Sequence, residues 1–199
     1  LECLTFFFNN YVDVTADPEA QIGYLELLLP LNGKVPANSP LSLATSALAT
    51  NIAFASFGRS LDSELPSSLF SRALALTQTA INDPFQNTTD ETLVTVLLLG
   101  ACDILSRTTR SQSPSGIHKN GALALVKHRG ALNFESSLSK RLLIAVRHHT
   151  IRMALWKCEQ IPADPTVWGD IGKMPESSAT ILDSYAADLA NLNVRVKRM

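Results

Sequence analysis

The 199 residues carry a formal net charge of −1, with 46% hydrophobic and 18% charged residues, the proportions of an ordinary soluble globular chain rather than a disordered or fibrous one. No apolar run reaches the ~18 residues of a membrane-spanning helix, and the opening LECLTFFFNNYV lacks the basic leader and small-residue cleavage site of a signal peptide. Cys3, Cys102 and Cys158 stand too far apart for a disulfide framework or a cysteine-built zinc site, which favours a reducing compartment.

Ser39 followed by Pro40 predicts a helix start, because serine caps and proline fits the first helical position, where its missing N–H costs nothing. Leu41, Ala44, Leu48, Ile52 and Ala55 follow at helical spacing, and the helix should fade near Gly58. A second helical run covers about 66–81 and breaks at Asn82, Asp83 and Pro84. Thr88 and Glu91 stand in capping-box spacing. The helix they start is apolar on nearly every side through Leu93–Leu99, as a buried central helix would be.

A polar loop, TTRSQSPSG, leads into GALALVKHRGALNF. The run predicts a helix from about Gly116 that ends at Gly130, with Lys127, His128 and Arg129 in its last turn. Cations there offset the helix dipole by about 0.3–1 kcal/mol each, which explains the triplet without a ligand. The next helix, about 138–158, carries Leu142, Val146, His149, Met153 and Trp156 on one face and Arg141, His148 and Arg152 on another. An irregular connection from Ile161 to Pro175 precedes a last helix from about Ser177, with Leu182, Tyr185, Leu189, Leu192 and Val196 at spacings of three and four. Nothing alternates with the period of a strand. The expected fold is all-α, an irregular stack of antiparallel helical pairs built from about seven helices.

Charge is unevenly spread. Residues 1–106 hold 3 Lys/Arg against 11 Asp/Glu, and residues 107–199 hold 14 against 7. Such a basic half could offer a surface to nucleic acid. Cations at helix ends and on solvated faces explain it as well, and the near-neutral total favours that account.

The chemistry of catalysis is hard to find. There is no G-x-S-x-G elbow, no phosphate-cradling glycine loop, and no pair of histidines at i,i+4 for a metal. An isoprenoid cyclase would need a dense aspartate motif for magnesium, and Asp62-Ser63-Glu64 and Asp83…Asp90-Glu91 are not one. The one polar constellation that could receive a ligand is His118 with Arg141, His148 and Arg152, suited to an anionic effector. His149 belongs with the apolar stripe and reads as a core histidine.

Taken in order, FFFNNYV, SPLSLATSALATNIAFASFGR, LFSRALALTQTAINDPFQNTTDETLVTVLLLGACDIL, IHKNGALALVKHRGALNF and LLIAVRHHTIRMALWKCEQIPADPTVW resemble the fungal-specific regulatory domain of binuclear zinc-cluster transcription factors. The block from Gly121 to Gly130 is the most characteristic. The chain departs from the family at Leu69 or Phe70, where a tyrosine is frequent, and at Asp103, where a glutamate is. The six-cysteine DNA-binding cluster is not among these residues.

The resemblance implies an α-helical regulatory domain, not an enzyme, with residues 1–199 as a single helical domain forming the N-terminal portion of a longer one. It implies a nuclear location and no cofactor. The partners it implies are transcription-machinery proteins or a second copy, together with a small-molecule effector. DNA would be contacted only through a segment absent from this chain, and no membrane is involved. The alternative is a stand-alone small-molecule-binding protein or biosynthetic enzyme that reuses the fold.

Overall fold

The structure is a computed structural model that describes residues 2–12, 23–60, 63–109, 111–113, 115–130, 133–161 and 178–197. The expected irregular connection lies outside these beyond Ile161, as does Asp62. The described residues form eight α-helices and no strand: α1 (Glu2–Tyr11), α2 (Leu28–Asn32), α3 (Pro40–Ser56), α4 (Glu64–Asn82), α5 (Asp90–Thr109), α6 (Ile117–Arg129), α7 (Ser137–Lys157) and α8 (Ser178–Lys197). None is long and apolar enough to cross a membrane. The all-helical expectation holds. The chain divides into two compact units, residues 1–14 with 25–125, and residues 15–24 with 126–199.

In the first unit α3 packs against α1, α4 and α5. Its composition explains this: Ala44, Ala47, Ala49 and Ala53 are all buried and let neighbouring helices approach on several sides. Its start is the one the sequence predicts, with Ser39 Oγ accepting from Ser42 N at 3.1 Å and proline at the first position. It stops where Gly58 takes a left-handed φ of 65° and Arg59 N returns to Phe54 O at 2.8 Å. Three buried threonines are satisfied within their own helices: Thr45 donates to Leu41 O, Thr50 to Ser46 O and Thr77 to Ala73 O. These threonines therefore cost the core no unpaired donor.

Residues 92–100 of α5 are buried without exception, as its all-round apolar pattern predicts. Its cap differs from the expectation by one residue: Thr89, not Thr88, accepts from Thr92 N at 3.3 Å, so no Glu91 capping box forms around Thr88. The preceding break is built by Asp83. Its carboxylate accepts from Phe85 N at 2.8 Å and Gln86 N at 3.1 Å, which holds its pKa below the ordinary carboxylate value and commits its oxygens to the turn.

Two helices were not foreseen. The Phe6-Phe7-Phe8 run has no helical period, yet α1 forms there because Phe7 is fully buried while Phe6 meets Phe57, ring centroids 5.1 Å apart. The five-residue α2 is too short for a period to show, and burial of Leu28 and Leu31 holds it.

In the second unit α7 packs against α8. Ser136 caps α7, accepting from Ser139 N at 3.0 Å. The helix ends on Cys158 in a left-handed conformation, with Glu159 N returning to Ala154 O. Leu142, Val146, His149 and Met153 are buried as expected, whereas Trp156 is 56% exposed and lies off the core.

The end of α6 answers the question of the cationic triplet. Gly130 takes φ 78° and Arg129 lies over the Phe134 ring at 4.1 Å while donating to Asn133 O and Ser139 Oγ. Arg129 is thus bound into the turn that follows α6, and Lys127 and His128 are exposed.

Candidate functional site

The first unit contains a cleft of about 190 Å³ where α3, α4 and α5 meet, lined by Asn51, Pro66, Phe70, Cys102, Asp103 and Ser106 among others. α4 and α5 each contribute residues one turn apart, Pro66 and Phe70 on α4 and Cys102, Asp103 and Ser106 on α5, while α3 contributes Asn51. Phe70, one of the two candidate positions for the tyrosine frequent in the resembled family, and Asp103, where a glutamate is frequent, both line this cleft.

Asp103 is its electrostatic centre. One carboxylate oxygen accepts from Arg107 Nε at 2.6 Å, and the other accepts from Ser115 Oγ at 2.8 Å and Ser115 N at 3.2 Å. Burial pushes its pKa up, but the Arg107 and Ser115 hydrogen bonds and the Arg107 charge outweigh it and hold the carboxyl below its ordinary value. The group is therefore an ionised, fully bonded anchor for the loop before α6, not a free base.

Cys102 beside it is buried, and desolvation pushes its thiol up to about 12 despite a hydrogen bond with Asn51. A thiol so protonated is not a nucleophile. The cleft can hold a small polar molecule against an amide, hydroxyls and an aromatic face. Neither Cys102 nor Asp103 is activated to transform one.

His118 stands at the edge of this cluster. Its ring meets Phe70 edge-on at 6.4 Å, and burial lowers its pKa while the nearby Asp103 charge opposes the shift. Gly100 permits its placement, since a Cβ at that position would stand 3.1 Å from His118 Cβ. Together with Gly121, whose added Cβ would meet Val96 at 3.7 Å, this sets α5 and α6 antiparallel and close.

The other three expected site residues, Arg141, His148 and Arg152, lie on α7 in the second unit. His148 is engaged by α8, its Nδ1–H donating to Asp183 Oδ1 at 2.7 Å. The carboxylate can only accept, which assigns the proton to nitrogen. Arg152 Nη2 approaches Nδ1 of His149 at 3.4 Å, and His149 is buried. Sequence reasoning missed Asn51 and Asp183 altogether, and met Phe70 and Asp103 only as departures from the resembled family, not as site residues. Among the described residues no three His, Cys, Asp or Glu side chains gather as a metal site would require.

The family model described as the fungal-specific transcription factor domain matches residues 2–154. The chain belongs to this family. Its domains serve regulation in transcription factors and are generally not enzymes. No curated protein and no solved structure matches the chain. The matched segment takes in α1 to α6 and most of α7, so it includes the whole cleft and leaves α8 outside.

Proposed function

We propose that this chain is the regulatory, non-DNA-binding part of a fungal zinc-cluster transcription factor, working in the nucleus through protein contacts and a small effector. The observation that carries the proposal is the family match over residues 2–154 on an all-helical body. Sequencing the transcript on both sides of this stretch tests it. A six-cysteine cluster and a basic linker upstream are the expected result, and a full-length message without such a cluster contradicts it.

The cleft around Asp103 supports the effector part. At about 190 Å³ it falls below the roughly 300–1,000 Å³ of ordinary ligand pockets, which restricts it to a small polar molecule. An anionic effector would be read on α7 instead, by Arg141 and Arg152. Replacing both with alanine then alters regulation in a folded protein, and unchanged regulation excludes that surface. The same cleft favours the second reading, a stand-alone small-molecule-binding protein, which the transcript also decides.

A further inference from the structure

Along α8, Leu182, Tyr185, Leu189, Leu192 and Val196 repeat at alternating steps of three and four, and every one is more than half exposed, Tyr185 most at 69%. They form the seam of a two-heptad coiled coil that stands exposed among the described residues. The opposite face is already committed. Asp183, Ala190 and Val194 are buried, and Asp183 is held by His148. Turning the seam inward would pull that carboxylate from its partner and expose the alanine face. The helix is therefore anchored on one side and apolar on the other.

We propose that this seam pairs with the same seam of a second copy of the chain, the two α8 helices running antiparallel. Charge decides the direction. With Leu182, Leu189 and Val196 as the first seam position of each heptad and Tyr185 and Leu192 as the fourth, Asp188 and Arg195 both flank the seam on the same side. In an antiparallel pair that side meets itself, so Asp188 faces the second copy's Arg195, twice by symmetry. A parallel pair sets Asp188 against Asn193 instead, which offers it no cation. Antiparallel pairing also sets Leu189 against Leu192 and Tyr185 against Val196.

With Ile181, the seam presents roughly 700 Å² per copy, close to the ~800 Å² that each partner of a standard specific interface buries. The helix lies beyond the segment that the family model matches. It deepens the protein-contact reading above, on which its regulatory meaning rests, but association itself is measured apart from transcription.

Sedimentation velocity on the 199-residue chain across a range up to about 100 µM tests it. The expected result is a reversible dimer. Leu189→Glu combined with Leu192→Glu weakens it at least about 100-fold, with helicity unchanged by circular dichroism because both side chains are exposed. Asp188→Arg alone weakens the dimer about threefold or more, and adding Arg195→Asp in the same chain restores it. A monomer throughout overturns the proposal and leaves the seam to a different protein or further polypeptide. A dimer that survives the double glutamate variant overturns it too, as does a seam dimer indifferent to the charge exchange.

Discussion

Asp183 on α8, only 4% exposed, accepts a hydrogen bond from His148 on α7 across 35 residues of sequence, Nδ1 to Oδ1 2.7 Å. This bond fixes which face of α8 turns inward, because a carboxylate drawn off the surface must find a donor. Arg147 adds a longer contact to Ser184 Oγ at 3.4 Å.

Removing His148 leaves Asp183 buried without its donor, whereas removing Asp183 leaves His148, its side chain 33% exposed, able to reach water. His148→Ala should destabilise the protein by about 1–3 kcal/mol, and Asp183→Ala by less. The double variant should cost less than the sum of the two. Urea unfolding of the four proteins measures the coupling, and strictly additive losses would show that the bond contributes nothing.

Acid acts on the fold through His118. Its folded pKa lies below the ordinary 6.5, so its contribution to stability is complete above that value and declines as pH falls toward the lowered one. Asp103, lowered from 3.8, keeps its contribution until far more acidic conditions. The melting temperature of the native protein should fall more between pH 7.5 and about 5 than that of His118→Gln. Parallel curves for the two would remove His118 from the account.

At Gly100 α6 packs tightly against α5. Alanine there gains up to about 1 kcal/mol of helix propensity but sets its Cβ 3.1 Å from a Cβ of His118, which no side-chain rotation can move. Gly100→Val, with no such gain and more bulk, should destabilise by about 1–3 kcal/mol. Thermal unfolding checks this, and a neutral valine would mean that α6 shifts freely.

The cysteines divide by environment. Cys102, buried with its thiol pushed up to about 12, should resist iodoacetamide in the folded protein while Cys3 and Cys158 react. Mass spectrometry counts the labels, and modification of Cys102 at native pH contradicts the packing described. Cys158 also holds a left-handed φ of 51°. Cys158→Gly should therefore stabilise the protein by about 1 kcal/mol.

The long helices were legible because their signals are local: Ser39 with Pro40, apolar residues at spacings of three and four, and Gly58 and Gly130 at the ends. What periodicity could not say is which way a stripe faces. The stripes of α7 and α8 look alike on paper, yet Leu142 is buried and Leu192 is 54% exposed, since the difference lies in which helix meets them. The cleft was illegible for a related reason. Asn51, Phe70 and Asp103 meet only through the packing of three helices, and none belongs to a short motif. His118, singled out from sequence, does adjoin that cleft. His148 answers instead to Asp183, a residue that no spacing rule linked to it.

The central claim is that this domain regulates transcription. It is tested most directly by fusing residues 1–199 to an unrelated DNA-binding domain and measuring a reporter gene in a fungal host. The account predicts that reporter output departs from that of the DNA-binding domain alone, and that destabilising the fold with Gly100→Val abolishes the difference. Output equal to that of the bare DNA-binding domain, from a fusion shown to be folded and nuclear, would contradict it.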